Sequence, residues 1–196
     1  MSPLIWEDAM IEQLLTLDGA VLLWIQEYIR ADWLTPAVKT VTKLGNLGFI
    51  WIVICLGLLC FKKTRKAGAA GLLALVFSLI LNNLILKRFI ARIRPYEVIA
   101  GLELLVKPAT DFSFPSGHSA SSFAAATAVV RMQKTSKWRF LLLIGAVCMA
   151  LSRLYIGIHY PSDVICGSIS GICCGWAASI VMEKVCESIK KEKQKQ

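Results

Sequence analysis

The chain has 196 residues, 56% of them hydrophobic and 18% charged, with a formal net charge of +9. That length suits one domain, and long apolar blocks separated by charge clusters exclude an ordinary soluble core. The positive balance does not point to nucleic acid, because the basic residues stand in short loops beside apolar runs, where they set orientation in a bilayer.

Residues 6 to about 43 read as one or two amphipathic helices, with Trp6, Leu14, Leu15, Leu22, Trp24 and Trp33 set among charges. Glu12, Asp18, Glu27 and Arg30 argue against a crossing here, so residues 1–46 are expected to lie along the membrane interface. Nothing in the first residues resembles a secretory leader, which would open on basic residues. Pro36 can begin a second helical piece that leads to Gly45 and Gly48. The first expected span, Leu47–Phe61, has only 15 residues, fewer than the roughly 20 of a full crossing. The basic run 62–66 stops it.

Ala67–Leu86 is the second expected span, and a polar connection follows from Lys87 to Phe114. Ser119–Val130 is the third, and its wealth of Ala, Ser and Thr suits burial between other helices. A second basic loop, 131–139, precedes a fourth span that starts at Phe140 and is expected to continue to Ile158. Val164–Met182 is the fifth, where Gly167, Gly171 and Gly175 recur every four residues as a packing stripe inside the bundle. The expected fold is therefore all-α: a polytopic transmembrane helix bundle of five spans, or six if the N-terminal region also crosses. Residues 47–186 form its membrane domain, and 187–196 a polar cytoplasmic tail.

Seven cysteines, an odd number without CxxC spacing, fall in or beside apolar runs. They read as small hydrophobes rather than as disulfides or zinc ligands. The two basic loops and the lysine-rich tail share one side of this arrangement, which the positive-inside rule makes cytoplasmic. The region before the first span carries six acids against three bases, as expected of the opposite side.

Three polar stretches end apolar runs on that outer side. Lys87 and Arg94 are seven apart, two turns of a helix, so a helix would place them on one face until Pro95 ends it. Two such cations also suit simple contact with anionic headgroups. Pro115-Ser116-Gly117-His118 opens a helical run, with Ser116 a natural N-cap and Gly117 allowing close backbone approach. Ordinary capping is the plain alternative, although free amides at a helix start also attract anions. The third stretch, residues 152–163, holds Arg153, His159 and Asp163 between two apolar runs, in a chain with two histidines. A turn at Pro161 can let the Asp163 carboxylate hold one imidazole nitrogen, leaving the other as nucleophile or base. Singly, a capping Asp and an interfacial His would explain these residues. Together the stretches supply three cations, a helix N-terminus and two histidines, which is a phosphate clamp with a nucleophile and an acid.

Lys87-x6-Arg94-Pro95, Pro115-Ser116-Gly117-His118 and Ser152-Arg153-x5-His159-x3-Asp163 resemble, in order and spacing, the three motifs of the type 2 phosphatidic acid phosphatase superfamily. The resemblance implies that His159 attacks phosphorus and becomes a phosphohistidine, oriented by Asp163. It implies that His118 protonates the leaving oxygen and then activates water. Lys87, Arg94, Arg153, Ser116 and the Gly117 amide would hold phosphate oxygens, with no metal and no cofactor. The superfamily's haloperoxidases are larger and soluble, which sets them aside.

The expected activity is hydrolysis of a lipid phosphate or diphosphate, first an isoprenoid diphosphate such as undecaprenyl diphosphate. Alternatives are phosphatidic acid, phosphatidylglycerophosphate, or transfer of the phosphate to another lipid. The expected partners are the substrate lipid and the bilayer, with the site on the extracytoplasmic face of the cell membrane. Neither the lipid's identity nor an oligomeric state follows from these residues. A non-enzymatic anion or lipid transporter is the competing class, and it has no use for two histidines and Asp163.

Overall fold

A computed structural model describes residues 3–134 and 137–194. The termini of the expected N-terminal region and tail, the middle of the basic loop 131–139 and the Trp6 side chain lie outside this description. Helix α1 (Pro3–Trp24) runs into a short π-helical turn, Ile25–Ile29, and α2 (Thr35–Leu44) begins with Pro36 in its first turn. There the missing proline N–H costs nothing. A 3-10 turn joins α2 to α3 (Phe49–Leu59), and the pair bends by 55°. Helix α4 (Arg65–Ser78) continues through a π-helical stretch, Leu79–Leu86, into α5 (Lys87–Ile90). A short α6 (Pro95–Val98) and an irregular stretch lead to α7 (Gly117–Met132), α8 (Arg139–Tyr155) and α9 (Pro161–Gln194).

The centre is a trio, α4, α7 and α9, closed around Ala70, Ala74, Ala124, Ala128, Cys174 and Ala178. Alanine and glycine do this because lipid supplies no hydrophobic drive between helices, so close backbone contact has to hold them together. A Cβ at Gly167 would stand 2.6 Å from the Ser116 carbonyl oxygen, and one at Gly175 would stand 2.5 Å from that of Ala124. The glycine stripe is thus the surface on which α7 rests, as its spacing implied. Helices α3 and α8 close the other side of α7 around Trp51, Cys55, Ala125, Val129 and Ala146. There the Trp51 indole donates to Ser122 Oγ at 2.7 Å, which satisfies its buried N–H.

Large aliphatic side chains point outward along the same helices, among them Leu56, Leu141, Ile144, Ile165 and Ile169. So extensive an apolar exterior fits lipid contact rather than water. Among the described residues, Arg65–Val98 and Pro161–Glu192 are long and apolar enough to cross a membrane. The bent pair Thr35–Leu44 and Asn46–Leu59 makes a third if it counts as one span. With 16 and 17 residues, α7 and α8 reach about 24–26 Å at 1.5 Å per residue, short of a hydrocarbon core of about 30 Å. The all-helical membrane architecture is as expected, but length and composition alone give two or three spans rather than five or six.

Two local expectations are corrected. The helix after Leu86 does not run to Pro95: it ends at Ile90, with Ala91 left-handed at φ 47, and Pro95 opens α6 instead. Helix α8 stops at Tyr155 rather than Ile158, because the chain turns through Gly157 at φ +75. A side chain there would also meet Arg30 Nη2 at 2.8 Å and the Glu103 carbonyl oxygen at 2.9 Å.

Candidate active site

The break at Ala91 puts Lys87 on a helix and Arg94 on extended backbone (ψ 150), so the two cations approach from different directions. Both reach one carboxylate. Lys87 Nζ donates to Asp111 Oδ2 at 2.6 Å, and Arg94 Nη2 to Asp111 Oδ1 at 2.5 Å. Arg94 is anchored further by the carbonyl oxygens of Asp111 and Ile158, each at 2.9 Å. Partial burial pushes the Asp111 carboxyl up, but the Lys87 and Arg94 contacts outweigh it and hold it at about 2.

Arg153, in the last turn of α8, is buried and near enough to Arg94 and Asp111 to interact with their charges. Its Nη1 donates to Thr42 Oγ1, and its Nε has no hydrogen-bond partner among the described residues. A buried guanidinium with an unspent donor is costly unless an anion arrives.

His159 lies in the turn between α8 and α9, 2% exposed. Its Nε2 stands 3.4 Å from Arg94 Nη1, on the side of the cations. Its Nδ1 faces Ser113 Oγ at 3.4 Å and Asp163 Oδ2 at 3.5 Å. Pro161 starts α9 and brings Asp163 into its first turn, fully buried. Asp163 Oδ2 accepts from Ser113 Oγ at 2.5 Å and from the Tyr160 amide at 3.1 Å. Burial pushes the His159 imidazole down, the Asp163 contact opposes this, and Arg153 and Arg94 push it down again, to about 3. The ring is therefore neutral at neutral pH. An Nδ1–H aimed at Ser113 and Asp163 fits these contacts and leaves the Nε2 lone pair facing the cations.

Ser116 caps α7 as expected. Its Oγ accepts from the Ser119 amide at 3.4 Å, and its own amide donates to the Asp163 carbonyl at 3.1 Å. His118, in the first turn of α7, is near enough to Arg153, His159 and Lys87 to sense their charges. Its Nε2 lies 3.1 Å from Asn46 Oδ1. Gly117 serves packing as well: a Cβ there would approach Asn83 Oδ1 at 3.1 Å. All eight residues singled out from sequence thus gather at one end of the α4–α7–α9 trio.

Four others belong to the same cluster and were not foreseen in it: Asp18, Arg92, Asp111 and Ser113. Asp18 counted only as a charge against membrane crossing, yet it is 3% exposed and paired with Arg92. Arg92 lies two residues before Arg94, but its guanidinium reaches Asp18, Ser162 and Asp163 rather than Asp111.

Residues 70–186 match the PAP2 superfamily, that is, type 2 phosphatidic acid phosphatase. The chain belongs to that family. All eight expected PAP2 motif residues fall inside the matched stretch, and Asp18 falls outside it. An undecaprenyl-diphosphatase from Sulfolobus acidocaldarius is 37% identical over 125 residues, 63% of this chain but only 59% of that protein's length. Phosphatidylglycerophosphatase B from Bacillus subtilis is 30% identical over 156 residues, covering 74% of this chain and 73% of that one. Among solved structures, a transmembrane PAP2-type phosphatidylglycerolphosphate phosphatase from Bacillus subtilis superposes with a TM-score of 0.72. It is 28% identical, and the superposition covers 88% of each chain.

Proposed function

We propose that this PAP2 chain is an integral-membrane lipid phosphatase that works without metal, through a phosphohistidine on His159. The observation that carries the reading is the convergence of Lys87 and Arg94 on a single carboxylate, with the His159 Nε2 lone pair beside them and Arg153 close by with an unspent donor. Phosphoryl transfer is mainly positioning and neutralisation of charge on the equatorial oxygens, and this set does both. The carboxylates of the cluster are engaged by cations, not gathered as a magnesium site would gather them.

In the proposed reaction the Nε2 lone pair forms the N–P bond as the bond from phosphorus to the leaving oxygen breaks. His118 gives that oxygen its proton, then takes one from the water that releases phosphate. Asp163 balances the positive charge that develops on the His159 ring. Lys87, Arg94, Arg153, Ser116 and the Gly117 amide are the proposed phosphate ligands.

The proposed substrate is an isoprenoid diphosphate such as undecaprenyl diphosphate. The relative from Sulfolobus acidocaldarius supports it, and the apolar exterior suits a substrate that arrives through the bilayer. Phosphatidylglycerophosphate is the second choice, on the Bacillus subtilis relatives. The proposed site faces away from the cytoplasm, because the basic loops cluster at the other end of the helices. The test is phosphate release by purified full-length protein in excess chelator, across undecaprenyl diphosphate, phosphatidylglycerophosphate and phosphatidic acid. Fastest turnover of the isoprenoid is the expected result. Need for a divalent ion would overturn the clamp, and transfer to an added lipid alcohol without release would make the protein a phosphotransferase. Intact cells should hydrolyse an added short-chain lipid phosphate without permeabilisation; a need for permeabilisation would reverse the orientation.

A further inference from the structure

Asp163 has two oxygens, and only one of them serves the histidine side. The other, Oδ1, accepts from Arg92 Nη1 at 2.7 Å. Arg92 is shared: its Nη1 also reaches Ser162 Oγ at 2.7 Å, and its Nη2 donates to Asp18 Oδ2 at 2.7 Å. Asp18 in turn accepts from the Ser162 amide at 3.0 Å and from the Ser162 hydroxyl. The Arg92 guanidinium lies 3.7 Å over the Tyr160 ring, and Tyr160 packs against Leu22 of α1, one helical turn after Asp18. Helix α1 is thus tied to the catalytic turn by charge at Asp18 and by apolar contact at Leu22.

We infer that Arg92 and Asp18 are positioning residues for the proposed nucleophile, acting through Asp163, so that helix α1 is a working part of the site. The inference rests on the reading of His159 as nucleophile. It follows from charge bookkeeping. Arg92 alone would fix the Asp163 carboxylate but would also cancel its negative charge. Asp18 takes up the charge of Arg92, so the three groups together keep one net negative charge beside a buried, neutral His159. That charge matters when the N–P bond forms and the ring becomes cationic. Two fixed contacts on Oδ1 and Oδ2 also prevent the carboxylate from rotating away from Nδ1.

The test uses detergent-solubilised full-length protein and a lipid phosphate that the wild type hydrolyses. Asp18→Asn should lower kcat by about tenfold, the effect of one charge-assisted hydrogen bond. Arg92→Met should lower it by about 100-fold or more, since it leaves Asp163 buried without its cation. Arg92→Lys should recover part of that loss. In each variant KM, and inhibition by inorganic phosphate, should stay near the wild-type values, because the phosphate clamp is made of other residues. Retained phosphate inhibition also reports that a slow variant is folded. Unchanged kcat in Asp18→Asn and Arg92→Met would overturn the inference, and so would parallel losses of kcat and phosphate affinity, which mark a merely structural pair. Failure of the wild type to release phosphate from any lipid would instead remove the phosphatase reading, and the positioning role with it.

Discussion

Asp111 sits where, on the proposed reading, a substrate phosphate has to sit. Its two oxygens take Lys87 and Arg94 at 2.6 and 2.5 Å, as two phosphate oxygens would, while its side chain remains 52% exposed. A half-exposed ion pair is weak, about 1 kcal/mol or less, so an incoming phosphate with more charge can displace it. Asp111→Asn should therefore strengthen inhibition by inorganic phosphate severalfold, by up to about fivefold if the whole of that energy is recovered. Arg94 would stay in place, since three carbonyl oxygens still hold it. Weaker phosphate inhibition in Asp111→Asn would mean that the carboxylate's main work is to hold Lys87 in position. Residues such as Asp111, Asp18 and Ser113 were not legible in the sequence, because a lone acid or serine in a polar stretch carries no spacing signal. Lys87, Arg94, His118, Arg153, His159 and Asp163 were legible because their ionisable groups stand at the ends of apolar runs, where such a group needs a reason.

At the scale of elements, what could be read was periodicity. The four-residue glycine repeat of α9 and the small residues of α7 announce two backbones in contact, and at Gly171 a Cβ would lie 3.0 Å from Ala120 Cα. Gly171→Val should cost about 1–3 kcal/mol by overpacking. It should also slow turnover, because Asp163 rides on the first turn of the same helix. The check is a lower thermal unfolding temperature in detergent. An unchanged temperature would show that α7 and α9 can separate without penalty. The break after Ile90 could not be read, since alanine has no preference for the left-handed backbone that Ala91 adopts. The end of α8 and the start of α9 were each off by three residues for a similar reason: hydropathy locates apolar runs, whereas the turn at Gly157 and the start at Pro161 locate helices.

At the scale of the molecule, the design is a tightly packed bundle of small residues that carries a cluster of charged groups at one end. The bundle's outward aliphatic face accounts for the membrane character, and the charged end carries the proposed chemistry. Helix α1 is the part whose place the sequence conveyed least. Leu14, Leu15, Leu17, Leu23 and Trp24 are exposed on it while Asp18 and Leu22 are buried, so its inward face is marked by an acid and one leucine and not by an apolar stripe. Everything proposed for the charged end depends on one bond, between His159 Nε2 and phosphorus. The most direct measurement is an alkaline detergent quench during turnover of a lipid substrate labelled with radioactive phosphorus. The account predicts acid-labile, base-stable label on the wild-type protein and none on His159→Ala. Label retained by His159→Ala would contradict it.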